Sequence, residues 1–155
     1  MNKYRITEII CVVLVLLFIV NSVKGETLTE KSAEELSSSV ISLMDDASLL
    51  QRSKSFIKEQ FNIDISGFSS VSYYSSDDVM NVNELFIGVL SEDYDANISE
   101  VFSGYAKDRY NLYNGYANEQ AAHLDNYVLS SQNGAVIFCV GKNADAVLNE
   151  FINNL

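Results

Sequence analysis

Apolar residues recur every three or four positions in four parts of the chain, which is the spacing of an amphipathic helix. The first helix begins near Ser32, where residues 32–35 have the form of a capping box. The longest helix opens at residues 95–97, and the last spans 144–152. The four predicted apolar stripes are Leu36, Val40 and Leu43, with Ala47 and Leu50 as a candidate continuation; Leu49, Phe56, Ile57 and Phe61; Ile98, Val101, Phe102, Tyr105, Leu112 and Tyr116; and Ala144, Val147, Leu148 and Phe151.

Four shorter segments alternate with a period of two or are continuously apolar, which predicts strands at 69–75, 84–90, 127–131 and 135–140. The Asn133-Gly134 pair predicts a tight hairpin turn between the last two. The predicted order is α-α-β-β-α-β-β-α. We therefore expect an α+β fold with a four-stranded antiparallel sheet made from two hairpins and with helices packed mainly on one face.

The first 25 residues follow a different pattern, because Lys3 and Arg5 precede an unbroken apolar run from Ile9 to Val20. A basic start before a short apolar run is typical of a signal peptide, and Gly25 ends a small-residue cleavage site. A helix over this run would cover about 18 Å, short of the ~30 Å hydrocarbon core. Cleavage after residue 25 is the first interpretation, and retention of residues 9–23 as an anchor is the second. Both interpretations predict a secreted or extracytoplasmic protein.

The length of 155 residues is typical of one domain. We expect a signal peptide or anchor at 1–25, a polar tether at 26–34 and a single α+β domain at 35–155. The net charge is -11 for the whole chain, and residues 26–155 keep 7 basic and 20 acidic side chains. A field of this sign repels nucleic acid and favours cationic partners, so no nucleic-acid binding is expected.

Soft metal ligands are scarce, since the chain has one His and two Cys. Cys11 lies inside the apolar run, and Cys139 in the strand at 135–140 is expected to be a buried apolar residue. Asp93, Asp95 and Asn97 begin like a calcium loop, but its sixth and twelfth positions are not Gly and Glu. No metal site and no cofactor are predicted.

The C-terminal half carries a recognisable order of residues: 114–120 (NGYANEQ), Leu124, 126–128 (NYV), Gly134 and 143–145 (NAD). Together with 61–64 and 84–87, this pattern resembles the bacterial family called domain of unknown function 4358, over about residues 35–152. The resemblance implies an exported or lipid-anchored protein of Gram-positive bacteria, without a known activity. The chain lacks the lipobox cysteine and has Ala117 where such domains often carry Pro.

Eight tyrosines follow the leader, and this side chain suits sugar or protein recognition because a flat apolar ring ends in a polar hydroxyl. Most of them fall on predicted core faces. Tyr110 and Tyr113 project away from the stripe of the long helix, and Tyr74 falls on the second face of the sheet. These three are the candidate binding residues, with no catalytic residue assigned.

Hydrolytic chemistry has two sets of candidate residues. His123 is the only imidazole base, with Asp125, Ser130 and Ser131 close in sequence. The acidic pairs at 45–46 and 77–78 could flank a glycosidic bond if they faced a cleft. The chain contains no nucleophile elbow, dinucleotide-binding or phosphate-binding loop motif.

Two functions therefore stand as hypotheses. The first is a non-enzymatic exported domain that binds a protein or cell-envelope component through an exposed sheet face or through its tyrosines. A homodimer formed through that sheet face belongs to the same hypothesis. The alternative is a small extracytoplasmic hydrolase.

Overall fold

The computed structural model describes residues 28–91 and 97–155, so the predicted leader at 1–25 lies outside the described residues. Helices and strands follow in the order α1 (Ala33–Val40), β1 (Leu50–Gln51), α2 (Lys54–Phe61), β2 (Phe68–Ser75), β3 (Glu84–Leu90), α3 (Ile98–Tyr113), α4 (Asn118–Asp125), β4 (Val128–Gln132), β5 (Ala135–Val140) and α5 (Ala144–Asn153). Short 3-10 turns occupy Ile41–Met44 and Ile65–Gly67. Over these two ranges, the helices fall short of the length and apolar character that a membrane span needs.

The fold is α+β, and its sheet is antiparallel throughout, as predicted. It has five strands in the order β1-β2-β3-β5-β4, so the prediction of four strands was wrong. The additional strand is β1, in which Leu50 pairs with Ser75 of β2. Two residues are too few to show a period of two, which is why Leu50 was instead considered as the end of the first helix.

Helices cover both faces of the sheet, which corrects the prediction that they pack mainly on one face. The central strands β3 and β5 bury nearly every residue in succession, because neighbouring side chains point to opposite faces and each face meets helices. On the second face, Ser72 is buried and Tyr74 is half-buried. The open second face that was expected for binding or for a homodimer is therefore occupied by helices of the same chain.

The two sides of the sheet differ in composition. Helices α1 and α5 cover one side, which we call the aliphatic side; its buried residues include Leu36, Val40, Leu85, Ile87, Val89, Ile137, Val147 and Phe151. Helices α2, α3 and α4 cover the other, the aromatic side; its buried residues include Phe61, Phe68, Tyr73, Phe86, Phe102, Tyr113 and Phe138. Rings pack edge to face or stacked on the aromatic side, with Phe102 and Phe138 at 4.8 Å between centroids.

Local sequence signals set several element boundaries as predicted. Ser32 caps α1 through its side chain, which accepts a hydrogen bond from the Glu35 N–H at 3.2 Å, and Glu35 accepts from the Ser32 N–H at 2.8 Å. Asn133 and Gly134 both adopt positive φ angles, 51° and 73°, as a tight hairpin turn requires. The tether region contacts the domain, since the Thr29 N–H donates to the Asn133 carbonyl at 2.8 Å.

The stripe predicted for the long helix was wrong at its C-terminal end. Helix α3 buries Phe102, Ala106 and Tyr113, whereas Leu112 and Tyr116 are 67% and 66% exposed. Leu112 lies one residue, and therefore about 100° around the helix, from Tyr113. Tyr116 lies after the end of α3, in the connection to α4, a helix that was not predicted.

Candidate functional site

Among residues 28–91 and 97–155, one carboxylate is fully buried, at the edge of the aromatic side. Glu84 is the first residue of β3, and its side chain points to the same face as Phe86 because alternate residues of a strand share a face. It is 0% exposed. A buried charge is costly unless it is paired and hydrogen-bonded, so the partners of Glu84 decide what this position can do.

Three side chains donate hydrogen bonds to Glu84. The Tyr73 hydroxyl donates to Oε2 at 2.6 Å, and the Tyr105 hydroxyl donates to the same oxygen at 2.9 Å. Arg109 donates from Nη1 to Oε1 at 2.6 Å. We call these four residues the Glu84 cluster. In the described part of the chain, every buried side-chain nitrogen or oxygen has a partner, so the cluster is fully satisfied.

Burial and the mutual contacts of the Glu84 cluster shift the pKa values of all four residues. Burial raises the pKa of Glu84, while the Arg109 charge and the two tyrosine hydroxyls act in the opposite direction. Burial and the Glu84 charge raise the pKa values of Tyr73 and Tyr105 well above their ordinary range. Burial by itself lowers the pKa of Arg109, but the Glu84 charge and the neighbouring Tyr105 and Tyr113 together outweigh burial and raise that pKa, so the guanidinium stays protonated.

Arg109 connects the buried cluster to the surface. Its guanidinium carbon lies 5.6 Å from the ring centroid of Tyr105 and 5.9 Å from that of Tyr113, within the range of cation–π contact. The side chain remains 20% exposed. This exposed part lines a depression of about 210 Å³, which we call the Arg109 depression. Its other lining residues are Phe56, Gln60, Tyr73, Ser75, Ser76, Asp77, Asp78, Val79, Asn81, Asn83, Tyr105 and Tyr113.

One wall of the depression is the 76–83 loop, and hydrogen bonds to Asp46 fix the position of this loop. The Asp46 carboxylate accepts hydrogen bonds from the Asn81 and Asn83 side-chain amides, both at 2.7 Å, and from the Ser48 hydroxyl at 2.7 Å. The bonds from Asn81, Ser48 and Asn83 hold the pKa of Asp46 well below its ordinary value. The Tyr113 hydroxyl donates to the Val79 carbonyl and attaches the loop to α3.

A second ion pair lies at the rim. Arg52 contacts Asp77 at 2.7 Å and also donates to the Ser75 hydroxyl at 2.8 Å and to the Ser75 carbonyl at 2.9 Å. Its guanidinium carbon lies 5.0 Å from the ring centroid of Phe56. The Asp77 side chain is 72% exposed, so this pair is solvated, in contrast to Arg109 and Glu84.

The three predicted binding residues fall in three different places. Tyr113 is 7% exposed and contributes to the Arg109 depression. Tyr110 lines a separate depression of about 420 Å³ between α3 and α4, together with Lys107 and Tyr127. Tyr74 packs on the aliphatic side. The structure does not bring these tyrosines together into one patch.

The residues considered for hydrolysis are divided among separate places, and of these Asp77 and Asp78 both line the Arg109 depression. His123 lines another depression of about 210 Å³ with Asn83 and Glu119, whereas Asp125 lines the depression of Tyr110. Asp46 is engaged by amides and Asp77 by Arg52. Of the residues that begin like a calcium loop, Asp93 and Asp95 lie outside the described residues. No cluster of three or more metal-ligating side chains occurs within 28–91 and 97–155.

Sequence reasoning missed Glu84 and Arg109, the two residues that organise the site. Glu84 was counted as the start of an apolar strand, and Arg109 was not singled out. One signal was available: Tyr105, Arg109 and Tyr113 recur at intervals of four, so they share one helix face, and a charge within an aromatic stripe needs a buried partner.

The comparison with known proteins identifies the family. The family model for domain of unknown function 4358 (DUF4358) matches residues 42–141. The chain belongs to DUF4358. This confirms the resemblance seen in the sequence, and the matched region contains all five strands, helices α2 to α4 and the whole Glu84 cluster. Helices α1 and α5 of this DUF4358 member lie outside the match. No curated protein and no solved structure matches the chain.

Proposed function

We propose that this DUF4358 protein is a non-enzymatic, extracytoplasmic recognition domain that binds a protein or cell-envelope component in the Arg109 depression. The observation that carries the proposal is the placement of Arg109. Its guanidinium is fixed by the buried Glu84 carboxylate and by two tyrosine rings. The Arg109 side chain is still 20% exposed and forms part of an open depression.

Fixing the side chain in advance favours binding. A free arginine loses about 0.5–1.5 kcal/mol of rotamer entropy when a ligand immobilises it. Arg109 has lost this freedom already, because Nη1 donates to Glu84 at 2.6 Å and to the Tyr105 hydroxyl at 3.1 Å. A ligand that accepts hydrogen bonds from the remaining guanidinium N–H groups therefore meets a preorganised donor.

The proposed location rests on the first 25 residues. Lys3 and Arg5 followed by the apolar run from Ile9 to Val20 form an export signal or an anchor, and both place the domain outside the membrane. Envelope components are then the ligands within reach. The separation of His123 from Asp125 disfavours hydrolysis with an imidazole base, because general acid–base catalysis needs its groups within hydrogen-bond reach of one substrate. The ion pair of Asp77 with Arg52 disfavours the acidic pair at 77–78 in the same role.

The experiment measures sedimentation of the protein, purified as the producing cells make it, with the insoluble envelope fraction of those cells. Ser76→Trp fills the depression with an indole ring. Ser76→Ala keeps the depression open while it removes the hydroxyl that accepts from the Asp78 N–H and from Ser48. Ser38→Trp places the same ring on an exposed position of α1, on the aliphatic side.

We expect the unmodified protein, Ser76→Ala and Ser38→Trp to sediment alike and Ser76→Trp to bind at least about tenfold more weakly, which corresponds to ~1.4 kcal/mol. Because all four proteins share the same N-terminal segment, membrane attachment through that segment cancels in the comparison. Equal sedimentation of Ser76→Trp and Ser76→Ala would refute the proposal.

A further inference from the structure

We infer that the ligand of the Arg109 depression is a single neutral sugar ring of an envelope glycan. This inference rests on the proposed function and names the ligand class for the same site. Four features of the depression carry it: its compensated charges, its mixture of donors and acceptors, its aromatic rim and its size.

The charges that form the depression are paired. The Glu84 carboxylate compensates the charge of Arg109 at 2.6 Å, and Arg52 compensates Asp77 at 2.7 Å. Asp78 adds an exposed acid at the rim, and residues 26–155 as a whole carry far more acidic than basic side chains. Anionic polymers are repelled by such a field, whereas a neutral ligand is not.

The depression offers hydrogen-bond donors and acceptors side by side. A guanidinium has five N–H donors, and the bonds from Arg109 to Glu84 and to Tyr105 both use Nη1, so these bonds leave the N–H groups of Nε and Nη2 to a ligand. The Asp77 carboxylate is 72% exposed and provides acceptors. A hydroxyl both donates and accepts, so a ligand with several neighbouring hydroxyls can satisfy both kinds of group.

Aromatic rings stand at the rim of this polar floor. Phe56 lines the depression and is 36% exposed. Tyr113 also lines the depression, and the exposed Tyr116 ring stacks on it with 5.8 Å between centroids and an interplanar angle of 27°. The apolar C–H face of a sugar ring can pack against such rings while its hydroxyls reach the floor.

The size of the depression limits the ligand to one ring. Pockets for drug-sized molecules enclose roughly 300–1,000 Å³. The Arg109 depression encloses about 210 Å³, so it has room for one sugar unit and not for an extended chain. The neighbouring units of a glycan would then lie along the surface outside it.

The closing experiment uses the same sedimentation assay in three arms. Free glucose and free N-acetylglucosamine are added at about 100 mM, because single-ring ligands bind weakly. Separately, the envelope fraction is oxidised with periodate, which cleaves vicinal diols of sugars, or digested with a broad-specificity protease. We expect at least one free sugar to compete, periodate to abolish sedimentation and protease to leave it unchanged.

A pair of matched charge variants tests the depression itself. Asp77→Asn replaces one acceptor oxygen at the rim, and we expect it to weaken binding about threefold to tenfold, as the loss of one hydrogen bond of ordinary strength would. Asp145→Asn changes the net charge equally at an exposed position in the first turn of α5, on the aliphatic side, and should leave binding unchanged.

Loss of sedimentation after protease, with none after periodate, would overturn the sugar inference and leave the proposed function standing with a protein partner. Equal affinities of the Asp77→Asn and Asp145→Asn variants would likewise overturn it. The proposed function itself fails by a different result, the equal sedimentation of Ser76→Trp and Ser76→Ala, so the two failures are distinguishable.

Discussion

The two sides of the sheet are built from the same strands and bury different chemistry. The aliphatic side packs branched side chains of α1 and α5 against Leu85, Ile87 and Ile137, and its buried polar side chains are the Ser37 and Ser72 hydroxyls. The aromatic side packs rings, and it also holds a charged cluster around Glu84. The Arg109 depression and the depression of Tyr110 both open on the aromatic side.

This difference shows how one sheet can carry two kinds of core, one without charged groups and one built around a buried carboxylate. Branched aliphatic side chains fill space closely and carry no polar group. Tyrosine rings fill space and end in a hydroxyl, so they can satisfy a buried carboxylate such as Glu84 and still belong to a core. The family match covers the sheet and the whole aromatic side, whereas α1 and α5 of the aliphatic side lie outside it.

The largest effect is expected from Arg109→Met. The substitution removes the cation that compensates Glu84 and leaves a buried carboxylate without a charge partner, which costs about 3–5 kcal/mol of the free energy of unfolding. Because burial already raises the pKa of Glu84, the carboxyl can take up a proton, and the loss should shrink in mildly acidic buffer. Urea denaturation at two pH values measures both effects.

The matched control for Arg109→Met is Asp77→Asn, which breaks the solvated pair with Arg52. Exposed ion pairs contribute roughly 0–1 kcal/mol, so the free energy of unfolding of this variant should be close to that of the unmodified protein. If the two substitutions lowered the free energy of unfolding by the same small amount, the buried ion pair would be no more important for stability than the solvated one, contrary to this prediction.

Truncation of one core side chain on each side compares their packing. Phe102→Ala, on the aromatic side, should cost about 3–5 kcal/mol, because the ring contacts Phe61, Phe86 and Phe138 and leaves a large cavity. Val147→Ala, on the aliphatic side, removes two methyl groups and should cost roughly 1.5–2 kcal/mol. Thermal or urea unfolding checks the order, and a larger loss for Val147→Ala would contradict it.

The buried serine pair of the aliphatic side gives a smaller effect. The Ser37 hydroxyl donates to the Ser72 hydroxyl at 3.0 Å. Ser72→Ala removes the acceptor, but the Ser37 hydroxyl can give its hydrogen to the Glu34 carbonyl at 3.0 Å, so no buried donor is left unpaired. The loss should therefore be that of one ordinary hydrogen bond, about 0.5–1.5 kcal/mol. The double variant with Ser37→Ala should be closer to neutral. A double-mutant cycle measured by urea unfolding would show this non-additivity, and additive losses would exclude it.

The smallest effect concerns acid stability. Hydrogen bonds lower the folded pKa of Asp46 below its unfolded value of about 3.9, so Asp46 contributes stability above that pH and loses it as the pH falls through the folded value. Asp46→Asn should therefore flatten the decline of stability at acid pH. Asp45→Asn, at the exposed neighbouring position, is the control, and identical pH profiles for the two variants would contradict the assignment.

Sequence patterns alone predicted the elements whose signals are local. The capping box at Ser32, the Asn133-Gly134 turn and the buried face of the last helix were all predicted, because each depends on residues a few positions apart. The antiparallel sheet and the family were predicted too. Strand β1 was missed because two residues show no period. Helix α4 was missed because its apolar residues form only a weak stripe.

Only the tertiary structure decided what lies on the two faces of the sheet and where the site is. Glu84 and Arg109 are 25 residues apart, and no local pattern records that a helix brings one onto the other. Tyr110 and Tyr113 are three residues apart, yet the packing of α3 directs them into different depressions. Local preferences act over a few residues and can be read from the chain, whereas the partner of a buried charge is chosen by packing between elements that are distant in sequence.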